Sequence, residues 1–118
     1  MEGKLTTHVL DTANGCPAAG MTIELWKWKD HKYQKVSSHI TNTDGRTDSP
    51  LLMAAAMEIG TYELLFMAGD YFTQKIDTLS DPPFLDIIPI RFGIADVASH
   101  YHVPLLASPW AYSTYRGS

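Results

Sequence analysis

Residues 21–28 read MTIELWKW, and residues 33–43 read YQKVSSHITNT after a break at Asp30, His31 and Lys32. In the first run Ile23, Leu25 and Lys27 fall on one face and Glu24, Trp26 and Trp28 on the other, the period of two that a half-buried strand imposes. Asp30, His31 and Lys32 make a short hairpin loop. Asp44-Gly45 then ends the second strand with residues that tolerate left-handed backbone, and Arg46 follows at once. Strand, tight loop, strand and turn in succession describe an antiparallel hairpin.

The same signals recur on both sides of it. LTTHVLD (residues 5–11) places Leu5, Thr7 and Val9 on one face and Thr6, His8 and Leu10 on the other, and Asn14-Gly15 supplies a strong turn. GTYELLFMA (residues 60–68) aligns Tyr62, Leu64 and Phe66. AGDYFTQKI (residues 68–76) loses the alternation and predicts one or two helical turns with Asp70 as N-cap. LSDPPF (residues 79–84) is a loop, because paired prolines break helix and sheet alike. FLDIIPIRFGI (residues 84–94) is a strand that Pro89 confines to an edge or bulge. LLMAAAME (residues 51–58) reads as a short strand and a loop, and HYHVPLLAS (residues 100–108) and AYSTYR (residues 111–116) as the last two strands. Seven or eight short strands and at most one short helix predict an all-β sandwich or barrel, folded as one domain over residues 1–118.

The 118 residues carry a net charge of -4 and a pI near 5.6. The nine basic residues are scattered, apart from the knot KWKDHKYQK at residues 27–35, which suits a wet hairpin better than a phosphate patch. Nucleic acid is therefore not an expected partner. A single cysteine, Cys16, excludes an internal disulfide and fits a reducing compartment. No stretch approaches the ~18 apolar residues of a membrane helix. The opening MEGKLTTHVLD enters a strand pattern without the apolar core of a signal peptide. The expectation is a cytoplasmic protein.

Among chemically useful residues, the five histidines stand first. His100 and His102, two apart on a strand, project from one face, a spacing that can form part of a metal site, but no third ligand at a supporting distance accompanies them. His8 sits mid-strand. Arg46, just past its turn, reads either as a solvated residue or as a planar donor fork for a carbonyl-rich or anionic ligand. There is no Gly-x-Ser-x-Gly elbow and no glycine-rich phosphate loop, and Cys16 precedes a proline with no base nearby. Trp26, Trp28 and Trp110 suit sheet packing or subunit contact. Read this way, the residues yield His8, Arg46 and His102 as candidate polar groups and no reaction.

The segment HYHVPLLASPWAYSTYRGS (residues 100–118) resembles the C-terminal signature of the 5-hydroxyisourate hydrolases, the enzyme branch of the transthyretin-like family. KLTTHVLDTANGCPAAG (residues 4–20) resembles its N-terminal motif, TNTDGRTD (residues 41–48) its arginine turn, and GTYELLFMAGDYF (residues 60–72) its mid-chain strand and helix start. The resemblance departs at Trp110-Ala111 and in the Ala-rich 51–58 loop. It implies a transthyretin-like (prealbumin-like) sandwich of two four-stranded antiparallel sheets with one short helix. It also implies a homotetramer, a dimer of dimers whose active sites lie in a central channel. By position it assigns catalytic roles to His8, Arg46, His102 and Ser118, and substrate binding to His8, Arg46, Tyr115, Arg116 and Gly117. His100 matches no catalytic position and reads as a structural residue or as support for the site.

The implied activity is hydrolysis of 5-hydroxyisourate to 2-oxo-4-hydroxy-4-carboxy-5-ureidoimidazoline in urate breakdown, by water attack on a ring carbonyl, with no metal and no organic cofactor. Two other readings share the fold: a channel carrier of a hydrophobic hormone and a structural or adhesion sandwich. The carriers of the family lack the terminal Tyr-Arg-Gly-Ser and the His, Arg, His set. An adhesion module has no need of residues 115–118 in a pocket.

Overall fold

The computed structural model describes residues 2–117. The 21–46 hairpin forms with a shorter loop than the expected Asp30, His31 and Lys32: β4 (Thr22–Lys29) and β5 (Lys32–Ile40) pair antiparallel with Lys29 opposite Lys32, so Lys32 belongs to the strand and the loop is only Asp30 and His31. Both loop residues take positive φ, 55° and 64°. That is the backbone a two-residue hairpin turn needs to match the twist of its strands. A register shift between Leu25 and Trp26 marks a bulge in β4.

β7 (Gly60–Met67) pairs with the other edge of β4, and β8 (Ile87–Ile94) pairs with β7, completing one antiparallel layer of four strands in the order β5-β4-β7-β8. Pro89 lies on β8, the edge strand, as its missing N–H requires. Ile23, Leu25, Tyr62, Leu64 and Phe66 turn inward and are buried.

The opposite layer departs from the expected four-stranded antiparallel sheet. It consists of two mixed ladders: β6 (Leu52–Met53), β1 (Lys4–Thr6) and β9 (His100–His102) in the order β6-β1-β9, and β11 (Tyr112–Ser113), β10 (Leu105–Ala107), β2 (Val9–Asp11) and β3 (Cys16–Pro17) in the order β11-β10-β2-β3. The pairs β1/β9 and β2/β10 are parallel. Residues 5–11 and 100–108 were each read as one strand; each is interrupted, at Thr7-His8 and at Val103-Pro104. Pro104 has no N–H to give, and the Val103 carbonyl accepts a bond from the Thr7 hydroxyl at 2.7 Å. Backbone bonds still cross the break, Val103 N to Thr6 O and Leu105 N to His8 O, both 2.9 Å. The alternation in residues 5–11 is as read, with Leu5, Thr7 and Val9 buried and Thr6, His8 and Leu10 half-buried on the outer face.

α1 (Ala68–Lys75) follows β7 directly, so Asp70 lies inside the first turn and not at the N-cap, where Met67 sits without a side-chain cap. There Asp70 still faces the positive end of the helix dipole. Residues 51–58 contribute β6 and a 3-10 turn, Ala54–Ala56.

Asp11 ties the helix to the second layer. It is 1% exposed, and its carboxylate accepts bonds from the Ala13 and Asn14 amides, from Asn14 Nδ2, and from the Tyr71 hydroxyl of α1 at 2.8 Å. Burial and the adjacent carboxylate both push the Tyr71 phenol upward, so it stays protonated as the donor. Tyr71→Phe removes one of these bonds from a buried charge. We expect it to cost about 2 kcal/mol, read as a lower urea midpoint with unchanged slope; an unaltered midpoint contradicts the tie.

Candidate active site

The outer face of the interrupted layer gathers polar groups from four segments. Thr6 and His8 share that face by strand alternation, as do His100 and His102. Parallel register sets Lys4 beside His100 and Thr6 beside His102. Backbone bridges then add Arg46 on the outer side of His8 and Gly117 on the outer side of His102.

Local chemistry holds each of these in place. The turn before Arg46 is closed by Asn42, whose Oδ1 accepts bonds from the amides of Asp44 (2.9 Å) and Arg46 (3.2 Å). Gly45 takes φ of 75°, and a Cβ there would collide with the Val9 carbonyl. Glycine is thus required beside the bridge that sets Arg46 next to His8. Nε2 of His8 lies 2.9 Å from the Asp44 carbonyl oxygen. A carbonyl only accepts, so Nε2 carries a proton and Nδ1 is the ring nitrogen left for another partner. Arg46 is exposed and makes no ion pair among the described residues.

His102 is the most constrained member. Its Nδ1 lies 2.8 Å from Thr6 Oγ1, and Gly117 backs its ring so closely that a Cβ on Gly117 would stand 2.9 Å from Cδ2. The amide of Gly117 donates to the His102 carbonyl at 2.7 Å. Burial, then the charge of Arg46 and the neighbouring His100 and His8, hold the His102 pKa below the ordinary 6.5. His100 is lowered as well, by burial and by Lys4. Both rings are therefore mainly neutral at pH 7, able to accept a proton.

The other expected residues divide. Gly117 joins the patch. Arg116 places its guanidinium 4.3 Å over the Tyr101 ring and, with Tyr115, lines an adjoining cavity of about 230 Å³ against β8. Thr114 anchors this segment by donating to the Pro104 carbonyl at 2.7 Å. Ser118 lies outside the described residues. The cavity beside Arg46 is small, about 140 Å³, and includes Thr6, Thr7 and Thr47. A larger cavity, about 530 Å³ beside α1, has four aspartates and no histidine in its lining. Among the described residues no three His, Cys, Asp or Glu are grouped to hold a metal ion, and the His100, His102 pair is instead bridged by Thr6. The role of Thr6 was not read from the sequence. Its one signal there is its place two residues before His8 on the same face.

Residues 5–117 match the HIUase/Transthyretin family. The chain belongs to that family. Within it, the chain is 56% identical over 116 residues to 5-hydroxyisourate hydrolase 2 of Rhizobium meliloti (strain 1021), covering 98% of this chain and 97% of that protein. Among solved structures it superposes on (S)-allantoin synthase with a TM-score of 0.93 at 49% identity; the match covers 99% of this chain and 44% of that longer one. It superposes on the 5-hydroxyisourate hydrolase of Klebsiella pneumoniae with a TM-score of 0.81 at 32% identity, over the whole of both. All four elements of the patch lie within the family match.

Arg46→Gln removes the charge that acts most strongly on His102 and leaves its burial in place. A neighbouring positive charge disfavours the imidazolium, so its loss raises the pKa. NMR titration of the His102 ring should show its midpoint moving up toward 6.5 in the variant; a midpoint that stays put or falls contradicts the proximity of the two groups.

Proposed function

We propose that this chain hydrolyses 5-hydroxyisourate to 2-oxo-4-hydroxy-4-carboxy-5-ureidoimidazoline in urate breakdown. One observation carries the reading. Two imidazoles, of which His102 is held below its ordinary pKa, share a face with the exposed guanidinium of Arg46, in a chain 56% identical to a named 5-hydroxyisourate hydrolase.

Opening the six-membered ring requires a water oxygen to attack a ring carbonyl. An O–H bond of water breaks and its proton goes to an imidazole; the oxygen forms a C–O bond and the carbonyl carries the developing negative charge. When that charge returns, the C–N bond breaks, and the departing nitrogen takes a proton back from an imidazolium. A histidine, with an unperturbed pKa of about 6.5, exchanges protons in both directions near neutral pH. His8 and His102 take these steps. Arg46 orients the flat, oxygen-rich substrate with its donor fork and stabilises the oxyanion. Tyr115, Arg116 and Gly117 bind substrate, and Ser118 positions water or substrate by its hydroxyl.

The functional unit in this reading is a cytoplasmic homotetramer of single-domain chains, two dimers enclosing a channel into which each patch opens. In one chain the patch is open to solvent, with Arg46 exposed and only a shallow cavity beside it. Closing such a site against water strengthens each electrostatic contact within it. Trp110, Tyr112 and Tyr115 are large exposed side chains available for subunit contact.

The test is the ultraviolet decay of 5-hydroxyisourate generated in situ from urate. The wild-type protein accelerates that decay. His8→Asn and His102→Asn should each slow it by roughly 10²–10⁴-fold while the assembly is retained; near wild-type turnover in both removes the assignment. Water activated by histidine supplies the nucleophile, so the rate in EDTA should equal the rate without it; a loss restored by added metal contradicts the mechanism.

A further inference from the structure

Thr6 Oγ1 stands between two imidazoles, 2.7 Å from Nε2 of His100 and 2.8 Å from Nδ1 of His102. The ring centroids are 6.2 Å apart and inclined at 61°, so the hydroxyl, not a direct ring contact, connects them. A hydroxyl has one proton to give, so bonding to both neutral rings means donating to one and accepting from the other. Only two arrangements satisfy this. In the first, His102 donates from Nδ1 to Thr6, Thr6 donates to Nε2 of His100, and Nε2 of His102 is left bare. In the second every donor reverses, and His102 carries its proton on Nε2. The tautomer of one ring therefore dictates that of the other.

We propose that Thr6 and His100 are positioning residues that form a reversible proton relay behind His102. The inference rests on the hydrolytic reading above. Nδ1 of His102 is committed to Thr6, so Nε2 is the atom left for substrate or water. Only the first arrangement leaves Nε2 bare to accept a proton, so the relay starts from it.

When water loses a proton to Nε2 of His102, the Nδ1 proton passes to Thr6 Oγ1 and the Thr6 proton passes to Nε2 of His100. The positive charge then leaves His102, which feels Arg46, His8 and His100, for His100, which faces His102 and Lys4. Lys4 is exposed, and its charge is screened by solvent. As the C–N bond breaks, the relay runs backward: His102 releases the proton from Nε2 to the departing nitrogen and recovers its Nδ1 proton through Thr6. Every proton is returned within the cycle. Gly117, packed against Cβ, Cγ and Cδ2 of His102, limits the room the ring has to turn away from Thr6.

Thr6→Val keeps the β-branch and the volume and deletes only the hydroxyl. Its kcat on 5-hydroxyisourate should fall about 10- to 100-fold with KM changed by no more than about twofold. Thr6→Ser should restore most of the loss. His100→Gln keeps a hydrogen-bonding group in place of the ring nitrogen but holds no proton, and should lose kcat as Thr6→Val does. Nitrogen-15 spectra should show the His102 proton on Nδ1 in the wild type and shifted toward Nε2 in Thr6→Val. An active wild type, with folded Thr6→Val and His100→Gln variants of unchanged kcat and an unchanged His102 tautomer, overturns the relay. An inactive wild type fails differently: it removes the hydrolytic reading, and with it the relay's catalytic use. Should Thr6→Val not fold, His100→Gln, on a half-exposed side chain, carries the same kinetic test.

Discussion

The parallel pairing of residues 4–11 with residues 100–107 is the constraint on which the rest depends. It sets Thr6 beside His102 and Leu105 beside Val9, joining side chains 94 and 96 positions apart in the chain. Adjacent strands lie about 4.8 Å apart, so a ladder carrying Arg46, His8, His102 and Gly117 on successive segments forms a compact polar floor without any deep pocket. The interruption at Thr7-His8 and Val103-Pro104 serves this floor. It frees His8 to bridge to Arg46 on its other side while the Thr6 and His8 carbonyls still hold the 100–107 segment.

The inner face was the legible part. Leu5, Thr7, Val9, Ile23, Leu25, Tyr62, Leu64 and Phe66 were all placed by a period of two, and all are buried. Burial follows from each residue's own position in a strand, which the local pattern encodes. Strand direction is different. Nothing within residues 4–11 states whether their partner runs parallel or antiparallel, since hydrophobic alternation is the same in both. The expectation of two antiparallel sheets therefore held for β5-β4-β7-β8 and failed where the partner came from the far end of the chain. The Asp70 cap failed for a related reason. α1 leaves β7 without a loop, so the N-cap falls on Met67, the last strand residue, whose side chain cannot cap.

The site was legible unequally too. Bottom-up reading raised His8, Arg46 and His102 as candidates without connecting them, because their proximity is a product of the ladder. Family resemblance supplied the connection. Thr6 escaped both routes: a threonine on a strand face is unremarkable until two imidazoles are seen on either side of one hydroxyl. His100 was taken as a supporting residue, and the contact with Thr6 gives that support a chemical form.

The choice of a hydroxyl behind His102 has an electrostatic logic. A carboxylate at Nδ1 would accept its proton equally well, but its charge would stabilise the imidazolium and raise the pKa. That would work against burial and Arg46, which hold this ring below 6.5. A carboxylate also cannot reverse roles while ionised, because it only accepts. Thr6 adds no charge, leaves the ring neutral and ready to take a proton near pH 7, and can donate or accept as the step requires. With Arg46 assigned in the proposed reaction to bind and polarise an oxygen-rich ring, a neutral partner for His102 keeps the two functions separate. In the proposed reaction the cation stabilises the oxyanion, and the imidazole moves the proton.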